Sequence, residues 1–410
     1  MPGRRDAGRI WEVKYDHFLL DYGLAQCVFD TRVFRKVTAN GFLIVHIHVD
    51  DTRITAQTLP IMQHFVNAWC AAFNEDPDDC SVLSEDFAGV RHQRIDLDTC
   101  SLSSDGAIES LKSLLEEFPP EPFMSTDFPL ASDALPKLRA GSTDSNPLLL
   151  HLLTPARRFM GVVCFVVNNR PDAHFASKVL ARYANETRLT KYAWGEIRRI
   201  AAYLVATRSL HLTLHRTEGQ LVAHVDSSLA NAEGGHSWGG YSIAFASDRV
   251  RSGSIIFSSS TPHCVTEATG VAELHQAVRV TKAVAGIRIF LRELDLAPSA
   301  ATKVYTDARV LIDGTNCRKV TNEAKWVSTR FAMVRWALSV NAIILVKTTG
   351  KANSSDIYTK PLTGALYCTH RTTELGLLPS SLMLGRHDAV KTWTTTYDRP
   401  VHAMADSVHS

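Results

Sequence analysis

LVAHVDSSLANAEGGHSWGGYSIAFASDRVRSGSIIFSSST, residues 221–261, decides the fold. Three runs within it, LVAHVDSS (221–228), GGYSIAFAS (239–247) and SGSIIFSSST (252–261), hold β-branched and aromatic residues separated by turn-formers, so they read as an antiparallel meander. Downstream, the pattern predicts a long helix over 266–294, a strand at TKVYTDA (302–308), helical segments over 308–340 and a last strand at AIILVKTTG (342–350). That order predicts a five-stranded mixed sheet with helices able to cover both faces.

Four carboxylates punctuate this pattern: Asp226, Glu273, Asp307 and Asp356, on a strand, a helix, a strand and a pre-helix loop. Each has an ordinary structural reading. Asp226 closes a strand on the face of Val222 and His224, where an Asp commonly forms a turn. Asp307 and Asp356 stand where a helix N-cap would. Glu273 is more telling, because it shares a stripe with Ala277, Val280, Val284, Ile287 and Leu291. An ionised Glu there is costly unless a cation meets it; the alternative is a snorkelling Glu near a helix N-terminus. Together, the four fall where the expected sheet brings two strand centres, a helix start and a loop to one edge. Such a set suits phosphodiester hydrolysis by two Mg²⁺ (or Mn²⁺) ions about 3.5–4 Å apart, caged by carboxylate oxygens.

The 410-residue chain is long enough for two or three domains. Its longest apolar run, FMGVVCFVV (159–167), is too short to cross a bilayer, and MPGRRDAGR at the start has no apolar core for a secretory signal. A cytoplasmic or nuclear location without membrane contact is therefore expected. Eight cysteines without a C-x-x-C pair fit free thiols better than a disulfide frame or zinc site. Charge is uneven: residues 71–140 carry 5 Lys/Arg against 15 Asp/Glu, whereas 141–220 carry 11 against 5. A polynucleotide is repelled by the first stretch and attracted by the second.

Toward the N-terminus, IWEVKYDHFLLDYGL has helical spacing at Trp11, Tyr15, Phe18 and Leu19. CVFDTRVFRKV and GFLIVHIHVDD read as strands, and LPIMQHFVNAWCAAF as a second helix. The six prolines of 116–147 suggest a linker, and 148–209 is helical, with Trp194, Ile197, Ala201 and Leu204 on one face.

These segments, in this order, resemble the reverse transcriptase–RNase H end of a copia-type LTR retrotransposon polyprotein, from Gly3 to about Gly376. HVDD (48–51) stands where the family carries YVDD; NRPDAHFASKVLARYANE (169–186) resembles its TRPD segment; WGEIRRIAAYLVAT (194–207) resembles its WKALKRILRYLKGT. LVAHVD, VAELHQAV, VYTDARVLI and SDIYTKPL resemble the blocks bearing its RNase H acids, which places Asp226, Glu273, Asp307 and Asp356 on them. The resemblance implies a truncated α+β reverse-transcriptase palm/thumb remnant at 1–118 and a Pro/Ser/Asp-rich linker at 119–147. A helical connection at 148–218, an RNase H-like α/β domain at 219–378 and a tail at 379–410 follow.

Departures from the family bear on activity. Asp50 and Asp51 are retained as remnant polymerase carboxylates, but Tyr has become His48 and the early polymerase aspartate precedes the chain. DNA synthesis is not expected, and Asp50 and Asp51 equally fit a polar hairpin tip. In the nuclease part the Trp after the first aspartate is missing and the Asn after the third is Ala308. AKWVSTRFAM (324–333) lacks the family's His and Asp but keeps Lys325 and Arg330 as nucleic-acid contacts. The resemblance implies a Mg²⁺-dependent ribonuclease acting on the RNA strand of RNA–DNA hybrids. Asp226 and Asp307 would flank two ions, with Glu273 completing the first cage and Asp356 the second. The alternative is a non-catalytic or decayed fragment that binds nucleic acid or other retroelement polyprotein products. An integrase or transposase on a similar fold needs a three-acid set at other spacing.

Overall fold

The computed structural model describes residues 7–49, 51–75, 86–121, 126–217, 219–262, 265–266, 268–316 and 325–377. Helix α1 (Ala7–Asp21) precedes strands β1 (Ala25–Gln26), β2 (Val33–Thr38), β3 (Gly41–His48) and β4 (Asp51–Ala56), which pair antiparallel in chain order, and α2 (Leu59–Phe73) follows. Alternation in β3 sends Leu43, Val45 and Ile47 into a core with Tyr15, Leu19, Phe34 and Phe65. Strand β4 is absent from the sequence expectations because DTRITA lacks apolar alternation, yet it pairs with β3 from Leu43↔Ala56 to His48↔Asp51. The chain reverses at Val49, whose φ of 58° is left-handed. Asp51 is thus an exposed residue beside a hairpin tip, and its carboxylate accepts the Ala88 N–H at 3.0 Å. Asp50 lies outside the described residues.

A second antiparallel sheet, also unanticipated, joins β5 (Asp86–Phe87), β6 (Val90–Arg94) and β7 (Thr99–Ser103) to a strand far along the chain. Between them run α3 (Asp105–Glu117), α4 (Ala134–Arg139), α5 (Leu153–Val166), α6 (Pro171–Leu180) and α7 (Lys191–Ala206), and β8 (Leu212–His215) closes the sheet against β7. Pro171 opens α6, where its missing N–H costs nothing. Thr190 caps α7 by accepting the Ala193 N–H at 3.2 Å. The expected α7 stripe of Trp194, Ile197, Ala201 and Leu204 is buried. The stretch 119–147 differs from a free linker: Leu130, Ala134, Leu135 and Leu138 are buried with α3, α5 and α7. Its prolines limit helix length, but its leucines still find a core.

The last sheet comprises β9 (Gln220–Ser228), β10 (Trp238–Ala246) and β11 (Ile256–Ser260), then α8 (Thr269–Glu293), β12 (Thr302–Thr306), α9 (Arg309–Asn316), α10 (Lys325–Ser339) and β13 (Ile343–Lys347), with α11 (Gly364–Leu375) after it. Its order is β11-β10-β9-β12-β13, antiparallel across the first three strands and parallel across the rest. This is the expected mixed sheet. Leu221, Ala223 and Val225 pack with Leu274, Ala277, Val280 and Val284 of α8 and with Val334 and Ala337 of α10. On the other side, Trp238, Ile357, Tyr358 and Tyr367 join the core of the helical segment. The helices at 153–206 and the C-terminal sheet therefore share buried surface.

Candidate active site

Parallel pairing of β12 with β9 fixes two of the acids. Tyr305 lies opposite His224, so Asp307, two residues on, is level with Asp226. Glu273 sits in the second turn of α8, which packs on β9 and β10. Carboxylate oxygens of Asp226, Glu273 and Asp307 consequently lie within 4.8 Å of one another. Among the described residues this is the one group of three or more His, Cys, Asp or Glu side chains placed to share a metal ion.

Asp226 is 2 % exposed and Glu273 4 %. Burial, then the charge of Asp356 and more weakly that of Asp307, pushes the Asp226 carboxyl up to about 7, against the opposing pull of Lys360 and Thr359. Burial, Asp226 and Asp307 push Glu273 up to about 8. Glu273 Oε1 accepts the Ser227 N–H at 3.3 Å, but Oε2 is buried without a hydrogen-bond partner. A buried carboxylate oxygen left in that position is costly unless a proton or a cation meets it. Three converging hard oxygen donors suit Mg²⁺ or Mn²⁺, so these residues fit a divalent ion.

Asp356 stands beside this trio, in a 3₁₀ turn over Ser354–Tyr358. Asn353, fully buried, holds the turn down by donating from Nδ2 to the Val225 carbonyl at 3.0 Å. Gly240 pairs opposite Asp226, and a Cβ there would overlap the Cβ of Tyr358. Lys360 lies between the acids, its Nζ 2.8 Å from Asp356 Oδ1 and 3.4 Å from Asp226 Oδ2. The Thr359 hydroxyl donates to the same Asp226 oxygen. Sequence reasoning missed Thr359 and Lys360, although Lys360 follows Asp356 by four residues within SDIYTKPL.

No family model matches the chain. It is 23 % identical over 365 residues to the retrovirus-related Pol polyprotein from transposon TNT 1-94 of Nicotiana tabacum, covering 87 % of this chain and 26 % of that protein. It is 22 % identical over 308 residues to the retrovirus-related Pol polyprotein from transposon RE2 of Arabidopsis thaliana, covering 74 % and 20 %. The chain is a distant homologue of copia-type Pol polyproteins. It spans about a quarter or less of the length of these relatives. The foamy viral protease–reverse transcriptase solved in complex with RNA/DNA hybrid is 15 % identical, with a TM-score of 0.39 over 78 % of this chain and 37 % of that one.

In this Pol homologue none of the other described sequence candidates is part of the acidic trio. Asp51 is at the β3–β4 hairpin and is not in the cluster. Lys325 begins α10, its side chain outside the described residues, while Arg330 is half-buried one turn on. Burial first, then the charge of Arg330, holds the His275 imidazole below its usual range, which places Arg330 near α8 two residues beyond Glu273. Among the described residues, no helix is long and apolar enough to cross a membrane.

Proposed function

We propose that residues 219–378 form a divalent-cation-dependent ribonuclease that cuts the RNA strand of an RNA–DNA hybrid. The observation that carries this is the unpartnered, buried Glu273 Oε2 converging with Asp226 and Asp307. Asp226, Glu273 and Asp307 would hold one Mg²⁺ or Mn²⁺, and Asp226 with Asp356 a second. Bound there, such ions supply Lewis-acid polarisation of the phosphodiester and a more acidic water. The protein's own contribution is orientation. Ser227 N–H aims Glu273, Thr359 aims Asp226, and Asn353 pins the turn that presents Asp356. Water oxygen joins phosphorus, the P–O3′ bond breaks, and the released O3′ takes up a proton, leaving 3′-hydroxyl and 5′-phosphate ends. Lys325 and Arg330 would position backbone phosphates, and contacts to the 2′-hydroxyl would mark the RNA strand. Residues 1–118 are then a reverse-transcriptase remnant without synthetic activity, and the chain works in cytoplasm or nucleus.

One observation favours a non-catalytic nucleic-acid-binding protein: the Lys360 ammonium already contacts both Asp226 and Asp356 where a second ion would sit. The test uses the full chain and a labelled RNA–DNA hybrid. Cleavage is expected with Mg²⁺ or Mn²⁺ but not with Ca²⁺, whose coordination is longer and looser. Asp226→Asn should abolish it while hybrid binding persists, since no phosphate-contacting base is removed. Inactivity with every metal, with hybrid binding retained, would assign the chain to the non-catalytic class.

A further inference from the structure

Lys360 is placed for more than a surface ion pair. Its ammonium touches both acids on one side of the pocket, at 2.8 and 3.4 Å, whereas Glu273 Oε2, on the α8 side, has no partner. The two ends of the acidic pocket therefore differ: one already holds a fixed positive charge and the other does not. The anchor is also constrained. The Lys360 N–H bonds the Asp356 carbonyl at 3.1 Å, and Pro361 follows directly. The neighbouring Thr359 hydroxyl keeps Asp226 Oδ2 turned toward the ammonium.

Resting on the ribonuclease reading above, we propose that Lys360 is a built-in cation guarding the Asp226–Asp356 side of the site. The resting protein then takes one divalent ion, in the Asp226–Glu273–Asp307 pocket. A second divalent ion enters only when Lys360 withdraws, and a substrate phosphate is the group on hand to draw the ammonium away. Two cations cannot share the Asp226 oxygen cheaply, because like charges at ionic contact repel strongly in a site this buried. Lys360 is thus a positioning residue that couples loading of the second ion to substrate. Its side chain is 35 % accessible, so withdrawal needs no unfolding of the turn.

The test is Mn²⁺ binding to the full chain, followed by electron paramagnetic resonance and calorimetry, without any turnover. The wild type should bind one ion. Lys360→Met, close in shape but uncharged, should bind two, the second at least about tenfold tighter than in the wild type. Lys360→Arg should stay at one. Two ions of similar affinity in the wild type, or none, would overturn the proposal, and that measurement needs no variant to fold. A second site equally weak in Lys360→Met and wild type would overturn it too. The two readings fail separately. One bound ion without hybrid cleavage removes the ribonuclease and leaves the guard, whereas cleavage with two ions already bound at rest does the reverse.

Discussion

Freed of metal by a chelator, the protein should lose stability as pH rises, and Asp226→Asn should remove much of that loss. The folded Asp226 carboxyl stands at about 7 against an ordinary 3.8. At about 1.4 kcal/mol per pH unit, that difference corresponds to about 4 kcal/mol. The folded value is the higher one, so the contribution is intact below about pH 4 and is lost as pH climbs through 7. Glu273, at about 8 against 4.5, has the same sign with a window reaching higher. The two effects share their mutual repulsion and will not add fully. Asparagine keeps an oxygen for the Thr359 hydroxyl, and Lys360 keeps Asp356 at 2.8 Å, so the variant loses charge and little else. Urea unfolding in EDTA at pH 5, 7 and 9 is the assay. Asp226→Asn should exceed the wild type by about 1–2 kcal/mol at pH 5, where part of the contribution is already lost, and by about 4 kcal/mol at pH 9. Excess Mg²⁺ should restore the wild type at high pH through binding to the folded state alone. Parallel curves across pH, or a variant weaker at pH 9, would refute the account of a strained acidic pocket.

Primer extension with the full chain, Mg²⁺ and a template should give no product above blank, since Asp51 lies exposed at a hairpin apart from the acidic cluster; extension abolished by Asp51→Asn would reverse this. Gly240→Ala should cost about 1–3 kcal/mol, because its Cβ would collide with Tyr358, and should weaken Mn²⁺ binding by displacing the Asp356 turn; calorimetry and urea midpoints check both. Arg251→Met should destabilise by about 3–5 kcal/mol at neutral pH, because it leaves Glu374, fully buried and held at about 2 by Arg251 and hydroxyl donors, without its 3.1 Å ion pair. Unchanged urea midpoints would show that Ser254 and Tyr358 suffice.

What the sequence discloses follows from range. Strands β9 to β11 are legible because each hydrophobic run ends in local turn residues, and α8 because its stripe holds over many turns. The second sheet is not, because β7 finds its partner β8 only after five helices and no local pattern encodes that pairing. β4 hides for a different reason: it is a half-exposed edge strand whose DTRITA pattern resembles a loop. At the site, Asp226, Glu273, Asp307 and Asp356 are visible as a set, since strand, helix and loop order already converge on one edge. Their countercharge is not, because Lys360 acts across the fold on Asp226 as well as along the chain on Asp356.

The pocket's energetics bear on the choice between a nuclease and a decayed fragment. Two buried carboxyls with values near 7 and 8 weaken the metal-free fold at physiological pH. A chain under selection for folding alone gains by replacing either with an amide or an apolar side chain. Here both persist, together with the residues whose geometry serves them: Gly240, opposite Asp226 and clear of Tyr358, and Asn353, bonded to the strand beside Asp226. Destabilising polar groups concentrated at one edge of an otherwise well-packed sheet are what the proposed cation site calls for. The Trp and Asn that the resembling family carries and this chain lacks are not among the acids, so the group able to hold a cation is complete without them. The acidic cluster able to hold a cation is therefore intact in this chain.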